Sequence, residues 1–95
     1  MDLRRGDVVR SLAGHDKDGL YCVVSTQGGS LMLVNGKERK INSPKRKNVK
    51  HVVRAGTSDH PVFSRLSLGE PVGDNELRKA LAAFRDERNQ QSRRE

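Results

Sequence analysis

The chain has 95 residues, 33% hydrophobic and 3% aromatic, with 19 Lys and Arg against 12 Asp and Glu for a formal net charge of +7. That length holds one small core, and the low apolar share leaves some segments without a core of their own. The longest apolar run, Leu20-Tyr21-Cys22-Val23-Val24, falls far short of the roughly 20 residues of a membrane-spanning helix. The opening Met1-Asp2-Leu3-Arg4-Arg5-Gly6-Asp7 has no apolar stretch behind its arginines, so no secretory signal, no membrane partner and a cytoplasmic location are expected. The single cysteine cannot staple the domain to itself, in keeping with a reducing compartment.

Residues 8–13 and 20–26 are rich in valine and bounded by glycine, and residues 31–34 are apolar, a pattern of short strands. Asn35-Gly36 is the dipeptide that best supports a type I′ turn, so a tight hairpin is expected there, with Arg39 and Lys40 on the strand that follows. Val49, Val52 and Val53 mark a last strand after Pro44. Five short strands without a helical period fit a small antiparallel SH3-like barrel over residues 1–54, because closure removes exposed edges.

Residues 55–73 are broken by Gly56, Pro61, Gly69, Pro71 and Gly73 and read as a linker, one that could dock through Val62, Phe63, Leu66 and Leu68. Asp74 then offers an N-cap, Glu76 suits the first turn, and Leu77, Ala80, Leu81 and Phe84 recur on one helical face. Residues 74–95 are therefore expected as a C-terminal helix from Asn75 towards Arg88 with a flexible tail from Gln90. The overall expectation is a mainly β protein, a barrel plus one C-terminal helix that covers the barrel or docks on another copy.

The charge is unevenly placed. Residues 37–54 hold eight cations and one acid, Glu38, whereas residues 55–95 sum to zero. One-signed clustering points to a polyanion, since solubility alone is served by mixed charge. Cations that neutralise phosphates release counterions, and engagement of about five phosphates would give a slope of log K against log salt of roughly −3.5 to −4.5.

The run from Gly6-Asp7-Val8-Val9-Arg10 through Gly14-His15-Asp16-Lys17-Asp18-Gly19 into the second strand resembles a KOW motif: a strand, a glycine-containing loop with a basic residue, and a second strand. Pro44-Lys45-Arg46-Lys47-Asn48-Val49-Lys50 adds to this, and residues 2–54 are similar to the bacterial KOW-domain RNA-binding proteins and to a KOW-bearing large-subunit ribosomal protein family of archaea and eukaryotes. The resemblance implies an SH3-like barrel that binds RNA, with ribosomal RNA or the ribosome as partner, a role in translation, and a ribosomal protein as a further docking surface for the C-terminal helix. His15 stands where a lysine or arginine is common in such loops, and Asp16 and Asp18 add negative charge. More of the binding is therefore assigned to Lys45, Arg46 and Lys47, extended by Lys50, Lys40 or Arg39, with Gly14, His15 and Lys17 in the loop.

Single-stranded RNA readers stack bases on exposed aromatics. Tyr21 is the one aromatic of residues 1–54 and is expected to pack inside its strand, so backbone and shape recognition of folded RNA is the expected mode. Neither an enzyme nor a cofactor is indicated: Cys22 sits mid-strand as a buried thiol, the three histidines are scattered, and zinc-type cysteine pairs are missing. The rivals are an SH3-like protein-interaction module, whose peptide grooves need aromatics, and a DNA-binding or transcription-associated KOW protein, which charge alone does not separate from an RNA binder.

Overall fold

The computed structural model describes residues 3–56 and 58–93, with side chains through residue 88. Five strands, β1 (Val8–Ser11), β2 (Leu20–Gln27), β3 (Ser30–Val34), β4 (Lys45–Asn48) and β5 (Val52–Gly56), precede two helices, α1 (Pro61–Ser67) and α2 (Asp74–Arg93). The strands form one antiparallel sheet in the order β4-β3-β2-β1-β5. Irregular registers at Val8/Val9 against β5 and at Val23/Ser25 against β3 bend it. Among the described residues no ladder joins β4 to β5; the 3-10 turn Val49–His51 connects these two edges instead.

Side chains alternate across a strand, and here both faces are buried. Val9, Tyr21, Val23, Leu31, Leu33 and Val52 form one cluster with Leu3, and because it draws on both β3 and β5 the sheet curls over it. Val8, Cys22 and Val34 point the other way and meet Val62, Phe63 and Leu66 of α1 and Leu77, Ala80, Leu81 and Phe84 of α2. The continuous apolar run at 20–24 follows from this, since a strand covered on both sides has no polar face.

Three elements differ from the sequence expectation. Asn35-Gly36 does not make a two-residue hairpin. β3 ends at Val34 and β4 begins at Lys45, so a ten-residue connection intervenes, and Arg39 and Lys40 lie in it rather than on a strand. The Asn35 side chain accepts from the N–H groups of Lys37 and Arg39, each at 2.9 Å, and shapes the connection locally. The fourth strand is the basic run itself. The segment expected as linker holds α1, with Pro61 in its first turn and the Val62 N–H donating to His60 Nδ1 at its start. Val62, Phe63 and Leu66 dock as expected, whereas Leu68 is 74% exposed.

α2 lies on its own sheet through the apolar stripe read from the sequence. Its start is held differently from the expectation. Asp74 does not cap the helix; its Oδ1 accepts the Ile41 N–H at 2.8 Å, across to the β3–β4 connection. Glu76 takes the reciprocal half of a capping box instead, accepting the Gly73 N–H at 2.8 Å, and also pairs with Arg65 of α1. The hydrogen bond from Arg65, followed by that from Gly73, lowers the Glu76 pKa. The helix backbone continues to Arg93, through most of the expected tail, while Arg94 and Glu95 lie outside the described residues. No helix among the described residues is long and apolar enough to cross a membrane.

Gly36 shows why the β3–β4 connection takes this shape. Its φ is +77°, and a Cβ built there would lie 2.3 Å from the Asp74 carbonyl oxygen, so the residue admits the first turn of α2. Gly36→Ala should therefore cost about 1–3 kcal/mol in urea denaturation. Gly29→Ala, in open space and without a positive φ, should change stability by less than about 0.5 kcal/mol. Equal midpoints for the two variants would show that α2 does not depend on this close approach.

Candidate nucleic-acid interface

The basic run is sorted by strand alternation. Lys45 pairs with Leu33 and Lys47 with Leu31, whose side chains lie in the cluster under the curled sheet, so both lysines point to that side. Arg46 and Asn48, opposite Met32 and Ser30, face the other way, and Arg46 is exposed. The aliphatic stems of the two lysines border the apolar cluster while their ammonium groups reach polar partners at its rim.

Those partners come from the β1–β2 loop, which contains a 3-10 turn at Gly14–Asp16. Asp16 Oδ2 accepts a hydrogen bond from Lys45 Nζ and lies 3.6 Å from Lys47 Nζ, which in turn donates to the Ala13 carbonyl at 2.9 Å. The Tyr21 hydroxyl is also hydrogen-bonded to Asp16. The hydrogen bond from Lys45 holds the Asp16 carboxyl below its usual pKa of 3.8 against an opposing contribution from desolvation. Desolvation first, then the charge of Asp16, pushes the Tyr21 phenol up to about 12. Asp16, which in the sequence only diluted the positive charge of the loop, thus joins two segments nearly 30 residues apart.

The loop is fixed to the rest of this edge by its backbone as well. The Leu12 N–H donates to the His51 carbonyl at 2.8 Å, and the Val49 N–H to the Gly29 carbonyl at 2.9 Å. Gly14 has φ +78°, the left-handed conformation that admits glycine most readily. The structure therefore brings Lys45 and Lys47 against the loop that holds Gly14, His15 and Lys17, with Lys50 on the neighbouring turn, while Arg46 projects from the opposite face of β4. His15, Lys17 and Lys50 are exposed here, as is Arg46 on the other face of β4, and none of the four makes an ion pair among the described residues, whereas the Lys47 side chain is only 10% exposed. Lys40 is exposed and Arg39 half-buried on the β3–β4 connection, apart from the strand position expected for them.

All three aromatic residues of the chain are buried: Tyr21 is 4%, Phe63 5% and Phe84 4% exposed. None offers a stacking platform for a base or lines a peptide groove. Cys22 is fully buried, and desolvation pushes its thiol pKa up to about 12, away from a reactive thiolate. Among the described residues no group of three or more His, Cys, Asp or Glu is placed to hold a metal ion.

Sequence reasoning missed a second group of cations. Arg10 of β1, Arg54 of β5, and Arg85 and Arg88 of α2 surround a cleft of about 270 Å³ on the helix side of the sheet. The zero net charge of residues 55–95 concealed it, because a sum over a segment says nothing about which side of a helix its cations occupy.

The depressed Asp16 pKa has a consequence for stability. Such a carboxyl stabilises the fold above its unfolded pKa and loses that contribution as pH falls through its folded pKa. Asp16→Asn should therefore be less stable than the wild type at neutral pH, and the two should converge as the pH drops below 3.8. Urea titrations across that range test this; a gap independent of pH would show that the charge of Asp16 contributes nothing.

No protein-family model matches this chain, and no curated protein matches it in sequence.

Proposed function

We propose that the chain is an RNA-binding protein of the KOW type, an SH3-like barrel that recognises the backbone of folded RNA. The observation that carries this reading is the joint surface of the β1–β2 loop, β4 and the Val49–His51 turn. There, exposed His15, Lys17 and Lys50 lie beside a glycine-shaped turn, and exposed Arg46 projects from the other face of the same edge strand. The strand order β4-β3-β2-β1-β5, with a single 3-10 turn between the last two strands and an apolar cluster under the curled sheet, supports the barrel assignment. The burial of every aromatic favours backbone and shape recognition over base stacking and weighs against a peptide-binding module. Ribosomal RNA is the folded RNA that the resemblance to KOW-bearing ribosomal proteins suggests, which would place the chain near the translation machinery.

The lysines and arginines of the basic run divide their roles. Arg46 and Lys50 contact phosphates directly, and Arg46 can also present its fork to a base edge. Lys45 and Lys47 hold the loop in place through Asp16 and Ala13. Arg46→Ala with Lys50→Ala should weaken binding to a folded RNA and flatten the salt slope by about 1.4–1.8, the contribution of two phosphate contacts, at unchanged stability. Lys45→Ala with Lys47→Ala should lower the unfolding midpoint. Binding isotherms at several salt concentrations, with a DNA duplex as competitor, check both. A wild-type slope in the Arg46/Lys50 variant would remove the β4 surface from the interface, and tighter binding to DNA would replace RNA as the ligand.

A further inference from the structure

The arginine-lined cleft on the flank of α2 has the features of a built anion site. Arg10 lies between Leu20 and Val53 in the sheet, being the register partner of both, so these three side chains share the face on which α2 rests. With Phe84 they give the cleft an apolar floor, and the residues that line it include four arginines and no carboxylate. Two of the arginines are held by the protein. Arg54 pairs with Asp7 at 3.2 Å. Arg88 donates to the Ala55 carbonyl at 2.9 Å and lies 5.4 Å from the centre of the Phe84 ring. A Cβ on Gly56 would fall 1.5 Å from Arg88 Nη2, so the guanidinium occupies space that only glycine leaves free. Arg10 and Arg85 are exposed, and neither makes an ion pair among the described residues.

We propose that this cleft is a second RNA site, one that holds a phosphate of a single-stranded segment between Arg10 and Arg85 and receives its base over Leu20 and Val53. Planar guanidinium forks match phosphate oxygens two at a time, and their faces stack on unpaired bases. The volume of about 270 Å³ lies under the about 300–1,000 Å³ of ordinary small-molecule pockets, which suits one nucleotide of a longer chain. The inference rests on RNA being the ligand of the β4 surface. It adds that bound RNA contacts elements at both edges of the sheet, and that α2, although its segment carries no net charge, takes part in binding.

The test uses the full chain, a labelled RNA hairpin with a single-stranded overhang, and the same hairpin without the overhang, titrated by fluorescence anisotropy across salt concentrations. Arg10→Ala with Arg85→Ala should leave the unfolding midpoint unchanged and weaken binding of the overhang RNA. It should also flatten that RNA's salt slope by about 0.7, the contribution of one single-strand phosphate, with the blunt hairpin bound as before. Arg10→Lys with Arg85→Lys should restore the slope but not the affinity, since an ammonium group lacks the planar fork. Wild-type affinity and slope in the alanine variant, alongside a loss in the Arg46/Lys50 variant, would overturn the cleft and leave the RNA-binding reading intact. Absence of RNA binding by the wild type would overturn both, and full restoration of affinity by lysine would overturn the guanidinium clamp.

Discussion

The structure depends on burying both faces of a five-stranded sheet with a chain in which only one residue in three is hydrophobic. A sheet of short strands with one open face would lack enough core to offset its backbone entropy. Here one face curls over Val9, Tyr21, Val23, Leu31, Leu33 and Val52, and the other is covered by α1 and α2. Each fully buried leucine or valine stabilises by about 1.5–3 kcal/mol, so the two helices contribute to the core rather than append to it. Their docking imposes local demands at Gly36 beneath the first turn of α2 and at Glu76, which caps that turn while pairing with Arg65 of α1.

The same scarcity of apolar side chains explains the basic edge strand. β4 is Lys-Arg-Lys-Asn and pairs on one side only, and charged edges discourage pairing between molecules. Its inward lysines extend the apolar cluster with their stems, and Asp16 with the Ala13 carbonyl receives their ammonium groups at the rim. One short carboxylate thus lets two cations sit against a core and fixes the neighbouring loop. Two exposed positions, Arg46 and Lys50, remain for a ligand on the same edge.

β1, β2 and β3 were legible in the sequence because valine-rich runs bounded by glycine have few alternatives, and the stripe of Leu77, Ala80, Leu81 and Phe84 placed α2 and the face that it buries. β4 was not, since a Lys-Arg-Lys-Asn strand has no apolar signal and its partners, Leu31 and Leu33, are read from another segment. Asn35-Gly36 has the residues of a tight hairpin, yet its glycine is required by a carbonyl 38 positions away in sequence, a long-range cause that local propensity does not carry. α1 was hidden by its shortness and by flanking proline and glycine, although its three docking residues were visible. For the candidate site, the residue types were legible and their division was not, because Lys45 and Lys47 differ from Arg46 only through strand alternation and the position of Asp16.

Charge follows the same rule as hydrophobicity here, in that its effect depends on which face carries it. The early acids of α2 are engaged at its start, Asp74 with the Ile41 N–H and Glu76 with Gly73 and Arg65. Arg78, and Arg85 and Arg88 further along the helix, line clefts against the sheet. A helix whose segment is neutral in sum can therefore present a one-signed flank, because its first acids are engaged in capping and docking while Asp86 and Glu87 do not line the cleft. That separation ties the electrostatics of the surface to the packing of the core, because the apolar face that seats α2 on the sheet through Phe84 also sets which side of the helix Arg85 and Arg88 occupy, with Asp86 and Glu87 outside the cleft.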